Sequence, residues 1–305
     1  MLAFPREAQK HGVFFPCREP RKGCSDVTPT PDPGLVGVAE AIGPSLPPRR
    51  LGVINARGLW ELYLKEVRRF LKVYLQTLVA PLVTTLIFLA IFALSMGTDL
   101  PRHSVGFMEF LAPGLIMMAM VQNAFANTSS SLIIAKVQGS IVDVLMPPLS
   151  ATELTLGYTL GGVTRGLLVG VAVAVGMAFF VTLHVHSWFY ILYHAVGASL
   201  MLSLLGVLAG VWADKFDHMA SVTNFIITPL SFLSGTFYTI DALPEGARLA
   251  AHLNPFFYMI DGFRYGFIGH EQATPLLGLL VVGATDALLG LGCWLMIRRG
   301  YKLKA

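Results

Sequence analysis

Apolar residues occupy most of the chain between Leu75 and Ile297, in long blocks separated by short polar or proline-bearing stretches. A helix needs about 20 such residues to cross a hydrocarbon core. Six blocks approach that length: Leu75 to Met96, Phe107 to Ser129, Gly162 to Leu183, Trp188 to Trp212, Val222 to Ile240 and Pro275 to Ile297. The fourth opens with Tyr190, Tyr193 and His194, which suit the membrane–water interface. Residues 57–74 carry a different pattern. Trp60, Tyr63, Val67, Phe70, Leu71 and Tyr74 recur at spacings of three and four, with Glu61, Lys65, Arg68 and Lys72 on the opposite face. That period predicts an amphipathic helix. Its cations suit anionic headgroups and its aromatic face suits the acyl boundary, so it reads as a helix lying in the membrane surface. An ordinary soluble surface helix is the competing reading, and the membrane-length block that follows directly argues against it.

The first 50 residues differ in kind. They hold nine of the 18 prolines: Pro5, Pro16, Pro20, Pro29, Pro31, Pro33, Pro44, Pro47 and Pro48. Each removes a backbone donor and disfavours helix before it. The segment also lacks the basic start and continuous apolar stretch of a secretory signal. It reads as a disordered tail over 1–50, or as an over-long start to the reading frame, ahead of a transmembrane domain over 55–305.

Composition agrees. Charged residues make up 13% of the chain, against roughly 25% in soluble domains. They cannot cover a soluble globule of 305 residues, which excludes an ordinary cytosolic enzyme and a disordered chain. The net charge is +4, and the cations border apolar blocks without forming a stripe, so no nucleic-acid partner is expected. Their distribution predicts orientation. With the N-terminus inside, 18 of the 22 Lys and Arg residues fall on the inner side and only Arg102, Arg248 and Arg264 on the outer side, with Arg165 inside a span. Both termini are therefore expected in the cytoplasm. Cys17, Cys24 and Cys293 are too few and too scattered for a disulfide framework.

The connecting segments carry the candidate chemistry. In the inner segment 130–160, Ile133, Ile134, Val137, Ile141, Val144 and Leu145 keep helical spacing, with Lys136, Gln138, Ser140 and Asp143 between them. Met146 follows, and Pro147-Pro148 stop the helix. Ser150 and Glu153 then form a capping-box pattern for the next helix. A short amphipathic helix here suits docking of a soluble partner; a mere extension of the two flanking spans fits the pattern equally. The second inner loop, 213–219, with Asp214 and Lys215, is either another docking element or a solvated turn. The outer segment 241–273 is too polar and too often broken to span, yet holds Phe256, Phe257, Tyr258, Phe263, Tyr265 and Phe267 beside Asn254, Pro255, Asp261 and Arg264. It suits half-helices dipping into the outer interface, which must pack on protein or line a cavity. The predicted fold is an all-α polytopic membrane protein with six transmembrane helices, an N-terminal amphipathic interface helix and outer re-entrant helices.

Intramembrane polar residues are functional candidates by default. Arg165 either serves in that way or extends to the inner headgroups. Asp286, near the middle of the last block, has too short a side chain to escape; pairing with Arg165 is one reading, protonation or a polar cavity the others. Asn123 and Asn127, with Thr128, Ser129 and Ser130, form a polar patch that either packs helices together or lines a path. Glu109, at the outer end of the second block, reads as solvated. His184, His186 and His194 lack a carboxylate or thiolate cluster, so no metal site is expected. Pro81, Pro113 and Pro229 fall inside blocks and permit kinks.

Taken in order, the strings GLWELYLKEVRRFLK, FLAPGLIMMAMVQNAFANTSSSL, PPLSATELTLGYTLGGVTRG, PLSFLSGTFYTIDALPEGARLAAHLNPFFYMIDGFRYGFIGH and RRGYKLK resemble the ABC-2 type transporter permeases across residues 55–305. The nearest branch in character is that of bacterial drug, polysaccharide and lipooligosaccharide exporters. The resemblance implies a permease subunit of an ATP-driven exporter in a bacterial inner membrane. It implies a second permease copy as partner, lipid around both, and a separate ABC ATPase subunit that holds ATP and Mg, so no cofactor is expected on this chain. It places the main coupling contact at Lys136, Gln138, Asp143, Met146, Pro147 and Pro148, and a lesser one at Asp214 and Lys215. It also implies an amphipathic, lipid-linked or drug-like substrate. Independently, a phosphate-binding loop of the G-x-x-x-x-G-K-[ST] type requires a Gly-Lys pair, and the chain contains none. Two other classes compete: an ATP-independent channel or secondary transporter, for which only Asp286 speaks, and a membrane-embedded hydrolase, whose nearest string, Gly197-Ala-Ser199-Leu200, lacks a glycine after the serine and is followed by no histidine within a later clean span.

Overall fold

The computed structural model describes residues 55–96, 106–238, 244–269 and 273–302. The proline-rich segment 1–50 and the expected outer cation Arg102 lie outside them. Among the described residues the regular structure is helical throughout. Helix α1 is Ala56–Leu71, α2 Ala80–Met96, α3 Phe107–Val137, α4 Ile141–Leu145, α5 Ala151–Ala178 and α6 Trp188–Trp212. They are followed by α7 Phe216–Val222, α8 Thr228–Leu233, α9 Glu245–Leu253, α10 Pro255–Ile268 and α11 Pro275–Arg298.

Among the described residues, five helices are long and apolar enough to cross a membrane: Leu75–Leu94, Phe107–Val137, Ala151–Ala178, Trp188–Trp212 and Pro275–Arg298. The expected sixth block is helical from Phe216 to Leu233, but it is divided by a π turn at Thr223–Ile227 and gives way to irregular turns from Ser234. A second π turn, Leu75–Val79, joins α1 to α2. Each π turn immediately precedes a proline-bearing turn, at Pro229 and Pro81. Proline has no N–H for the carbonyl four residues back, and the wider turn accommodates that lost bond.

Two helices exceed their apolar blocks. α3 continues past Ser129 to Val137, and α5 begins at Ala151, well before Gly162. The polar residues there do not break helix, because they bond to their own or neighbouring backbone. Thr155 Oγ1 donates to Ala151 O at 2.8 Å, Thr128 Oγ1 to Ser203 O at 2.9 Å and Ser203 Oγ to Thr159 O at 2.9 Å. α5 starts with the expected capping box: Ser150 accepts from Glu153 N, and the Glu153 side chain reaches back to Ser150 N. α3 ends before Gly139, whose φ of +72° only glycine adopts without strain.

α3 lies at the centre of the bundle, buried without interruption from Leu111 to Met117 and packed on α5 and α6. Close approach there depends on absent side chains. A Cβ on Gly162 would stand 2.0 Å from Ser203 Oγ, and one on Gly206 would stand 2.1 Å from Thr128 Oγ1 and 2.7 Å from Phe125 O. Small residues let membrane helices approach until their hydroxyls and backbones bond directly. α2 and α11 are peripheral and leave Ile87, Ile91, Leu94, Leu276, Leu280 and Leu288 exposed.

Candidate functional site

Three polar assemblies hold the bundle's connections in place. The first lies where α1, α4 and α5 meet. Asn55 caps α1, its side chain accepting from Gly58 N at 3.0 Å. Its own backbone N–H donates to Glu153 Oε1, and its Nδ2 donates to Pro148 O at 3.4 Å. Glu153 Oε2 meanwhile accepts from Ser150 N at 2.7 Å. One carboxylate thus starts α5 and fastens the start of α1. α4 buries Ile141 and Val144 against Leu132, Leu154, Tyr158, Val211 and Ile297. Its other side turns outward: Asp143, Met146, Pro147 and Pro148 are exposed, as is Gln138 before it, and Met146 is 74% exposed.

Lys136 departs from the expectation that it would sit on that short amphipathic helix. It belongs to the last turn of α3, and its Nζ donates to Val211 O and, at 3.0 Å, to Ala213 O. Lys302 Nζ donates to Trp212 O at 3.1 Å and pairs with Asp214 Oδ2 at 2.7 Å. Two ammonium groups therefore close the carbonyl end of α6, where the helix dipole favours cations. The bond from Lys302 holds the Asp214 carboxyl below its usual pKa, and Asp214 holds the Lys302 ammonium above its own. Lys215 is exposed at the start of α7. The structure therefore brings Lys136 and Asp214 together, while Gln138, Asp143, Met146, Pro147 and Pro148 form a separate exposed edge beside them.

The second assembly joins α1 to α3. Glu66 is fully buried, accepts from Ser131 Oγ at 2.6 Å and pairs with Arg69 at 3.0 Å. Arg69 Nη2 also donates to Asn127 O at 2.7 Å and Asn127 Oδ1 at 3.0 Å, while Nη1 donates to Ser130 Oγ at 3.1 Å. One turn along α3, Asn123 Oδ1 accepts from Arg165 Nη2 on α5 at 3.0 Å. Arg165 is thus bonded sideways within the bundle. It does not pair with Asp286, which lies on α11 near the spot where a Gly197 Cβ would stand and whose Oδ1 has no hydrogen-bond partner.

The third assembly lies at the opposite end. Asn254 caps α10, accepting from Phe256 N at 3.0 Å, and Pro255 takes the first helical position. Asn254 Nδ2 donates to Ser234 Oγ at 3.1 Å. Arg264 is 1% exposed; it donates to Gly235 O at 2.9 Å and Phe110 O at 3.2 Å, and its guanidinium stacks 3.8 Å from the Phe110 ring centre. Asp261 Oδ2 accepts from Ala273 N at 3.0 Å. These residues clamp α10 to the turn after α8 and to the start of α3, so Arg264 is no solvated loop cation. Glu109 accepts from Thr182 Oγ1 at 2.8 Å beside a cavity of about 240 Å³ that is also lined by His184 and Phe267. His194 is buried against Tyr190 O at 2.9 Å, and His186 packs edge-on against Tyr265. No cluster of three or more potential metal ligands occurs among the described residues.

Sequence reasoning missed Glu66, the role of Lys302 and the paired roles of Lys136. Glu66 and Arg69 stand three apart, a spacing that pairs charges on a helix, and this was the available signal.

A family model described as ABC-2 type transporter matches residues 57–268. The chain is 40% identical over 251 residues to the inner membrane transport permease YadH of Escherichia coli strain K12, covering 81% of this chain and 97% of that protein. It is 26% identical over 224 residues to nodulation protein J of Rhizobium leguminosarum bv. trifolii, covering 72% and 83%. The match to nodulation protein J of Neorhizobium galegae is 24% over 226 residues, with the same coverage. The family match spans the α1-to-α10 assembly, and the bundle supplies five membrane-length helices: the chain is a multi-pass membrane protein that belongs to the ABC-2 type transporter family.

Proposed function

We propose that this chain is the permease subunit of an ATP-driven exporter. It works as a pair of copies and moves an amphipathic, lipid-linked or drug-like molecule outward across a bacterial inner membrane. ATP and Mg are held by a separate ABC ATPase subunit, in keeping with the absence of a Gly-Lys pair in the sequence. The α4 end faces the cytoplasm, together with both termini, because most cations cluster there. α1 lies in the cytoplasmic headgroup layer, and α9 and α10 sit in the outer interface.

The observation that carries this reading is the arrangement around Lys136. The exposed edge at Asp143, Met146, Pro147 and Pro148 is joined through the end of α3 to the α6 terminus and the Asp214 loop. A push on α4 therefore reaches two long helices through one partly buried ammonium and the Ile141–Val144 packing. The test is co-purification with the cognate ATPase, followed by ATPase and transport assays in lipid. Asp143→Arg, or replacement of both Pro147 and Pro148, leaves a folded complex that hydrolyses ATP without transport. Transport that is indifferent to ATP, by a chain that purifies alone, sinks the proposal.

A further inference from the structure

Buried polar groups are normally hydrogen-bonded, and each exception calls for an explanation. Four exceptions gather where α1, α3 and α5 meet. Arg69 Nε, Asn127 Nδ2, Tyr158 Oη and Arg165 Nε are buried and have no hydrogen-bond partner in the protein. Three of them are N–H groups that only donate, and the fourth is a phenol that is able to donate. They share one seam. Arg69 bonds Asn127, and Asn123, one turn away on α3, bonds Arg165. Between them lies Gly161, where a Cβ would stand 2.6 Å from Glu66 Cβ and 3.5 Å from Asn127 Nδ2. Tyr158 and Arg165 fall three residues before and four after that glycine, on the same face of α5.

The seam is short of acceptors. Its one carboxylate, Glu66, is already engaged by Arg69 and Ser131, and the Asn123 and Asn127 side-chain oxygens are taken by the two arginines. Two guanidinium groups against one carboxylate leave a net positive charge with unused donors. The Arg69 side chain keeps 28% of its surface exposed, so the seam opens beside α1.

We propose that this seam binds a phosphate-class anion carried as the net-anionic headgroup of an amphiphile, in preference to a zwitterionic phosphate headgroup whose charge is already balanced. Arg69 and Arg165 supply guanidinium donors, a planar fork that matches phosphate oxygens. Asn127 and Tyr158 supply the neutral donors. The placement at headgroup depth rests on the reading of α1 as a membrane-surface helix; the donor set does not.

Tyr158→Phe is the clean probe, because the hydroxyl it removes bonds nothing in the protein. The purified full chain is studied in nanodiscs of phosphatidylcholine, titrated with phosphatidylglycerol or with inorganic phosphate, by native mass spectrometry and by the shift in Tm. Wild type retains one phosphatidylglycerol per chain through saturable binding. Tyr158→Phe weakens it about 3- to 10-fold with an unchanged Tm in phosphatidylcholine alone, and Arg165→Gln weakens it at least 10-fold. Lys65→Gln, on the exposed face of α1, stays within 2-fold. A shift produced by inorganic phosphate alone assigns the seam to a free anion. Equal retention of both lipids with no phosphate response, or equal binding by Tyr158→Phe, Arg165→Gln and wild type, overturns the proposal and leaves water as the occupant. The assay uses no ATPase, so a negative result here leaves the exporter reading standing, and loss of ATP-driven transport leaves the seam standing.

Discussion

Lys136 and Lys302 close the same helix end from opposite directions in the chain. Lys136 takes the carbonyls of Val211 and Ala213, and Lys302 takes that of Trp212 between them. The last turn of a helix leaves its carbonyls without partners of their own. Here they are met by the end of α3 and by the segment after α11, so three distant parts of the sequence share one terminus.

Lys136→Met removes one of those donors while keeping the aliphatic stem. The expected cost is roughly 1–2 kcal/mol, the range for a partly buried cation at a helix C-terminus, read as a lower Tm in detergent. ATP hydrolysis by the assembled complex persists while transport falls at least 10-fold. Full transport with the lower Tm would confine Lys136 to stability.

The Asp214–Lys302 pair sets a pH window. Asp214 has a lowered pKa, so its contribution is present above its ordinary value of 3.8 and is lost as pH falls through the lower folded value. Lys302 has a raised pKa, so its contribution is full below 10.5 and is lost as pH rises through the higher folded value. The difference in Tm between wild type and Asp214→Asn is therefore flat from about pH 5 to pH 9 and shrinks in stronger acid. Both side chains are well exposed, so the difference is small and falls with salt. A difference that peaks near pH 6–7 contradicts this assignment.

Glu66→Gln leaves Arg69 beside the bundle without its carboxylate. Removing one partner of a fully buried pair costs about 3–5 kcal/mol. Arg69 keeps access to solvent, which brings the expected loss to about 2–3 kcal/mol, and Glu66→Gln/Arg69→Gln recovers part of it. Thermal unfolding of Glu66→Gln, Arg69→Gln and the double variant checks the cycle. Additive losses would show that the pair is not coupled.

Gly206→Ala places a methyl against Phe125 O and Thr128 Oγ1, at 2.7 and 2.1 Å. Backbone cannot yield as a flexible side chain does, so overpacking costs about 1–3 kcal/mol, visible as a lower Tm and a broadened size-exclusion peak. Gly246→Ala meets nothing within 4 Å and serves as the neutral control.

Much of this fold was legible in the sequence, and the reasons differ by element. Long apolar blocks announce membrane-length helices because nothing else requires 20 uncharged residues in a row. Pro147-Pro148 and the Ser150–Glu153 box marked the start of α5 because caps are local chemistry. The far end of α3, and the unbroken run of α5 from Ala151 into the apolar block at Gly162, were not legible in hydropathy. Hydropathy falls at Ser129–Ser131 and Thr155–Thr159, but hydroxyls that bond between helices let the helix continue. The sixth block is helical from Phe216 to Leu233 among the described residues, and the π turn at Thr223–Ile227 that divides it leaves no trace in composition. Glu66 falls outside the polar face read from the helical period, and its neighbours on α3, some 60 residues away, make it interior.

The stitching of α1 also imposes a timetable on biosynthesis. Glu66 meets Ser131 across 65 positions, and Asn55 meets Glu153 across 98. At about 5–20 residues per second, a ribosome takes roughly 5–20 s to supply the second of these partners. Until Asn127 and Ser131 are made, Glu66 and Arg69 have each other within α1. That pair forms within one turn, so Glu66 has a counter-ion on its own helix before its α3 partners exist, and the same two residues later fasten α1 to the bundle.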